Sequence, residues 1–304
     1  MQIALNCYSS YTRIQASLFE IGESKLIFTS QDALLHLELG EDQDDVLNEL
    51  SVSDNKKIMA FSTDGGTVGV VDLVDYKVIR MKTRHSSICA SVKFVPDRSS
   101  ELVSGGYDSA LLHFDFKQGS LLSRHDIAAA PPSSGVSLSP PFVLSISISP
   151  VGLIAATTAD GRLWIGTGGD KTISLGGKKK KSRKWEGLRE SEGQFVQIAD
   201  GPVVASTFVS ESSLLTCTLL GNIAQHNITY NEEQKVHLET SWTCETRGLE
   251  KVNAIAASKD WLAIGGFGKD EKGLVEVWSV SNDSELTEIT AKLSYRATEH
   301  EKMG

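Results

Sequence analysis

"RHSSICASVKF" (84–94) and, after a five-residue connection, "SELVSGGYDSALLHFDF" (100–116) carry the pattern that decides the fold. Each apolar run is short, rich in Val, Ile, Leu and Phe, and closed by Gly, Asp or Ser, which reads as a strand bounded by turns. The turn at "GGYDS" joins two such runs into a hairpin, and "ASVKFV" supplies a third strand ahead of it. The same stretch holds His85, Ser104 and Asp108, the residue types of a hydrolytic triad. It therefore raises two readings, an active site or a structural network.

Working outward, the same organisation returns along the chain. Paired runs occur in "KLIFTSQDALLHLEL" (25–39), "KIMAFSTDGGTVGVVDL" (57–73), "GLIAATTADGRLWIG" (152–166), "SLLTCTLLGNIAQHNI" (213–228) and "WLAIGGFGKDEKGLVEVWSV" (261–280). Most are preceded by a further short strand, such as "VLNELSV", "VLSISIS", "VVASTFV" or "VNAIAAS". The turn markers Asp32, Asp64, Asp108, Asp160, Gly221 and Asp270 stand 32 to 61 residues apart. Such uneven spacing excludes a fixed-period solenoid but suits propeller blades, whose insertions collect in the connections. A β-sandwich also has short strands, yet does not explain the return of one turn chemistry six times. The expectation is an all-β fold, a β-propeller of four-stranded blades with six countable repeats, forming a six-bladed ring or an incomplete seven-blade ring. The first repeat is thin: after "ALLHLEL" the chain runs through "GEDQDD" straight into "VLNELSV", leaving no room for an outer strand. One domain is expected over 1–294, with "ELTEITAKL" (285–293) as the outer strand of the last blade and a frayed tail at 295–304.

Composition narrows the function classes. The 304 residues are 40% hydrophobic and 23% charged, the balance of a soluble globular chain. No apolar run approaches the roughly 20 residues that span a bilayer, so no membrane contact is expected. "MQIALNCYSSYTR" lacks the basic start and apolar stretch of a secretory signal. Cys7, Cys89, Cys217 and Cys244 are scattered without a C-x-x-C pair, which points to reduced intracellular thiols and to a cytoplasmic or nuclear protein. In that setting the sequons at Asn227 and Asn282 carry no glycan. A net charge of −9 argues against a general nucleic-acid binder.

These blades resemble the WD-repeat family, whose repeat places Gly-His before the innermost strand and Trp-Asp at the end of the third. Arg84–His85 stands at the first position and Phe114–Asp115 at the second, while other repeats read Val71–Asp72 or Trp278–Ser279. Within the family, "KVIRMKTRHSSICASVKFVPDRSSELVSGGYD" (77–108) is most similar to the WD repeat-containing protein 53 group. The resemblance implies that His85, Ser104 and Asp108 form a hydrogen-bonded structural network. Phe114 cannot add an indole N–H, so three members are expected. A catalytic serine would need an exposed elbow of the G-x-S-x-G type and an oxyanion hole, and "LVSGGYD" offers neither. Asp32, Asp64 and Asp160 read as turn formers.

Two insertions break the rhythm. "AAAPPSSGVSLSPP" (128–141) is Pro- and Ser-rich, a surface connection or a docking loop in which Ser139 precedes Pro140. "GGDKTISLGGKKKKSRKWEGLRE" (168–190) carries Lys178, Lys179, Lys180, Lys181, Arg183 and Lys184, which read either as a solvated loop or as a nuclear import signal or electrostatic patch. Its glycines match neither G-x-x-x-x-G-K-[ST] nor G-x-G-x-x-G. The acidic "GEDQDDVLNE" (40–49) lacks the calcium-loop pattern and reads as a solvated turn.

The functional expectation is a non-catalytic protein-interaction scaffold without cofactor, metal or small-molecule substrate. The resemblance further implies a substrate receptor of a cullin–RING ubiquitin ligase, docked to a propeller adaptor through a W-D-x-R box. The nearest match is "FDFK", with Phe114, Asp115 and Lys117 as candidate docking residues. Lys117 stands where the box has Arg, and an ammonium does not reproduce the guanidinium fork. Two alternatives are a chromatin or nucleic-acid adaptor using the basic loop, and an enzyme using the propeller's central channel.

Overall fold

The computed structural model describes residues 2–8, 15–21, 29–40, 45–129, 139–166, 188, 193–230, 236–258, 260–280, 286–288 and 293–295. The chain divides into two compact units, Met1–Ala128 and Ala129–Gly304.

In the first unit, β1 (Gln2–Tyr8), β2 (Gln15–Ile21) and β3 (Leu35–Glu38) form a three-stranded antiparallel sheet in that order. The second sheet runs β4 (Leu47–Val52), β5 (Ile58–Thr63), β6 (Val68–Asp72), β7 (Val78–Arg80). The third runs β8 (Cys89–Phe94), β9 (Glu101–Gly106), β10 (Ala110–Asp115), β11 (Ser120–Asp126). In the second unit, the fourth sheet is β12 (Val143–Ile148), β13 (Ile154–Thr158), β14 (Arg162–Gly166), β15 (Gly193–Gln197). The fifth is β16 (Val203–Phe208), β17 (Ser213–Thr218), β18 (Asn222–Tyr230), β19 (Val236–Glu245). The sixth is β20 (Leu249–Ala257), β21 (Trp261–Gly268), β22 (Gly273–Val280), β23 (Leu286–Glu288), with β24 (Leu293–Tyr295) also on β22. β23 pairs with Trp278–Val280 and β24 with Gly273–Val275, so the two share the fourth position. The five of these antiparallel meanders that reach four strands are the blades of a β-propeller.

The blade count differs from the expected six or seven. Among the described residues five sheets reach the four-stranded depth, and the first has three strands. Eight residues, 39–46, separate β3 from β4, and of these 41–44 lie outside the described residues. Of the hairpin expected over 25–39, residues 25–28 lie outside the described residues. Ser30–Asp32 is a 3-10 turn, with Asp32 Oδ2 accepting from the Thr29 N–H at 2.7 Å. β3 pairs with β2, and β2 pairs with β1 over seven residue pairs, so the N-terminal segment supplies the strands of this sheet.

The inner strands read as continuous apolar runs because both of their faces are covered. β9 buries all but its first residue and β10 all but its last, whereas the outer β11 alternates between half-buried, exposed and buried positions. Cores lie between consecutive sheets within each unit. Met59, Phe61 and Val71 pack with Ala16 and Leu37, and Val70 and Met81 pack with Val92, Leu112 and Phe114. In the second unit Leu163 and Ile165 meet Leu214 and Ile228, and Cys217 and Ile223 meet Ile264 and Trp278.

Phe114 is wholly buried in the core between the second and third sheets. Phe114→Ala is expected to cost about 3–5 kcal/mol in urea unfolding monitored by tryptophan fluorescence. A loss below about 1 kcal/mol would contradict this packing.

Candidate functional site

The lead-in to β8, the second strand and the β9–β10 turn bring His85, Ser104 and Asp108 together. His85 Nδ1 lies 2.7 Å from Asp108 Oδ1, and His85 Nε2 lies 2.8 Å from Ser104 Oγ. Asp108 is held below the ordinary carboxylate range: burial pushes it up, but the hydrogen bond and attraction of His85, the Ser86 N–H and the Arg124 charge outweigh that. An ionised carboxylate only accepts, so Nδ1 carries the proton and, in the neutral ring, Nε2 accepts from the Ser104 hydroxyl.

Backbone geometry closes the arrangement. The Tyr107 N–H donates to Ile88 O at 2.8 Å, tying the turn to the lead-in. A Cβ on Gly106 would lie 2.7 Å from both His85 Nδ1 and Ile88 O, so only glycine lets the imidazole sit against the strand. The His85 N–H donates to Gly66 O at 3.0 Å in the second sheet's β5–β6 turn. Gly66 has φ of +80°, and a Cβ there would lie 2.3 Å from His85 O. The histidine thus joins its own blade and seats that blade's entrance on its neighbour.

The Ser–His–Asp order is that of a triad, but access differs. Ser104 is 0% and His85 1% exposed, so the hydroxyl points into packed protein where no substrate carbonyl reaches it. Ser86 is a further member that the sequence reading missed. Its N–H donates to Asp108 Oδ2 at 3.1 Å, and its hydroxyl lies 3.5 Å from the same oxygen.

Other blades fasten their entrances with different chemistry. In the second sheet Asp45, in the lead-in to β4, accepts from the Gly65 N–H at 2.7 Å and is buried, which corrects the reading of residue 45 as part of a solvated turn. Asp64, the turn acid there, accepts from Asn48 Nδ2 at 2.9 Å. In the sixth sheet Glu276 on β22 accepts from the Arg247, Gly248 and Leu249 N–H groups at 3.0, 2.6 and 3.2 Å. Asp160 does more than shape a turn: it is buried and paired with Arg162 Nε at 2.7 Å, and the guanidinium lies 4.7 Å from the Phe195 ring. In the fifth sheet His226 is buried between Thr216 Oγ1 at 3.0 Å and Thr240 Oγ1 at 3.1 Å, and burial lowers its pKa to about 4.

Of the candidate docking residues, Phe114 faces the core, Asp115 is half-buried and Lys117 is exposed. Asp115 Oδ1 accepts from the Lys117 and Gln118 N–H groups at 3.0 and 3.1 Å, fixing the turn that presents the lysine. Lys178, Lys179, Lys180, Lys181, Arg183 and Lys184 lie outside the described residues, as do 130–138 of the Pro-rich insertion. Among the described residues no three His, Cys, Asp or Glu side chains gather as a metal site, and no helix is long and apolar enough to cross a membrane.

No family model matches the chain. A WD repeat-containing protein 53 homolog from Dictyostelium discoideum is 23% identical over 158 residues, covering 47% of this chain. The match spans 41% of that protein's length. With the four-stranded blades, this likeness supports a WD-repeat propeller.

Two outcomes test this site. Ser104→Ala removes the hydroxyl at His85 Nε2 and is expected to cost about 1–3 kcal/mol in denaturant unfolding while the protein still folds. His226 is neutral when folded down to about pH 4, whereas the unfolded side chain protonates near 6.5. The unfolded state binds more protons between those values, so the His226 contribution falls as pH drops from about 6.5 to 4, by on the order of 3 kcal/mol. His226→Gln is expected to flatten that limb of the pH–stability curve, and an unchanged slope would contradict the assignment.

Proposed function

We propose that this protein is a non-catalytic interaction scaffold and that its third blade docks it to the propeller adaptor of a cullin–RING ubiquitin ligase as a substrate receptor. The observation that carries the scaffold reading is the burial of the whole Ser104–His85 pair inside the blade, on a chain of stacked meanders related to a WD-repeat protein. Polar residues that would serve chemistry elsewhere are used here to hold a platform. A propeller of such blades offers loop-lined faces to peptides and domains, with few exposed strand edges. A cytoplasmic or nuclear location goes with this reading.

The docking part rests on the end of β10. Asp115 holds the turn and Lys117 projects from it, so the lysine ammonium is the group offered to a partner carboxylate. An exposed pair of this kind is worth little alone, about 0–1 kcal/mol, so adaptor affinity is expected to be modest. Lys117→Arg supplies the planar fork of the W-D-x-R box and is expected to strengthen capture by a purified adaptor propeller, whereas Lys117→Glu is expected to weaken it at least about tenfold. No capture of the wild type, or equal capture of all three, would overturn the adaptor reading.

A further inference from the structure

The segment "KTRHSS" (82–87) crosses the surface with one side chain turned inward. His85 enters the clasp, while Lys82, Arg84, Ser86 and Ser87 are exposed. Ser86 therefore presents an accessible hydroxyl with cationic side chains two and four positions before it, the charge pattern that an acidic kinase cleft accepts. Its surroundings make the hydroxyl consequential. Ser86 Oγ lies 3.5 Å from Asp108 Oδ2, and the same oxygen accepts the Ser86 N–H at 3.1 Å.

We propose that Ser86 is a phosphorylation site for a basophilic serine kinase, and that the phosphate opens the His85–Asp108 clasp. In the transfer, Ser86 Oγ forms a bond to the γ-phosphorus of a nucleoside triphosphate as the β–γ bridging P–O bond breaks. The nucleoside diphosphate leaves, and the hydroxyl proton passes to a carboxylate base of the kinase. The product carries about −1.5 to −2 charges at neutral pH. With the clasp closed, those charges would lie against an ionised carboxylate that also holds His85 and the Ser86 N–H. Three cations would oppose the effect. Lys82 and Arg84 are on the segment itself, and Arg124, which attracts Asp108, is already hydrogen-bonded to Asp126 at 2.7 Å. The clasp is lost because the phosphate has the Asp108 carboxylate as its immediate neighbour, so modification shifts the population toward an open entrance.

This effect is confined to one end of the blade. Asp108 precedes β10 and Asp115 ends it, about 20 Å apart along an extended strand. Phosphorylation is therefore expected to leave capture through Lys117 unchanged, which separates this inference from the adaptor reading.

The test treats the full chain with a purified basophilic serine kinase and ATP, locates the phosphate by peptide mass spectrometry, and measures the melting midpoint. Phosphate is expected on Ser86 and absent from that position in Ser86→Ala, a variant that keeps the backbone N–H bond to Asp108 and folds. The modified protein is expected to melt about 2–8 °C lower. In an Asp108→Asn background, where the carboxylate charge is gone, the drop is expected to shrink to under half. No phosphate on Ser86, a melting point unchanged or raised by the phosphate, or an undiminished drop in the Asp108→Asn background would each overturn the proposal.

Discussion

The third blade depends on His85, which has three attachments at once. Its Nδ1 meets Asp108 in the turn, its Nε2 meets Ser104 on the second strand, and its backbone N–H meets Gly66 in the neighbouring blade. Each bond alone is worth about 1 kcal/mol net, but the groups are buried, so losing one leaves another polar atom without its partner. Two glycines make the geometry available. Gly106 gives the ring room beside the strand, and Gly66 lets the adjacent turn approach the His85 carbonyl. The propeller blade needs such a fastening because its innermost strand is joined to the rest of the sheet on one side only.

Across the blades the backbone contact repeats while the side chains change. The Asp64 N–H donates to Val46 O, Tyr107 to Ile88 O, Ala159 to Phe142 O and Leu219 to Pro202 O, at 2.8 to 3.0 Å. In four sheets, then, the turn between the two central strands is tied to the entrance of the first strand. Around that contact the second sheet uses Asp45 and the third His85 with Asp108, while in the sixth sheet Glu276 on β22 holds the entrance of β20. The acids differ in place and in partner: Asp45 takes the Gly65 N–H of the turn, Asp108 the Ser86 N–H of the lead-in, and Glu276 the N–H groups of Arg247, Gly248 and Leu249.

Much of this was legible in the residues. The central strands announced themselves because burial on both faces demands continuous apolar runs, as in "LIAATT" and "LLTCT". His85, Ser104 and Asp108 could be placed together only through the resemblance to WD-repeat blades, which implies a network at those positions. The first sheet was not legible in the same way: β1 and β2 ("QIALNCY" and "QASLFEI") mix polar and apolar residues without a turn marker between them. Asp45 was hidden inside an acidic run, where a buried carboxylate and a solvated one look alike. Glu276 did leave a signal, a lone acid in the apolar strand "LVEVWSV", since a buried charge must have partners. Ser86 left none, because its role depends on where the Asp108 carboxylate turns.

His85 and Asp108 act as one structural unit. A double-mutant cycle of His85→Ala, Asp108→Ala and the pair, read by equilibrium unfolding in urea, measures that directly. A coupling of about 1–3 kcal/mol is expected, with the double variant little worse than either single one. Additive losses, with coupling indistinguishable from zero, would mean that the two side chains are neighbours without being a clasp.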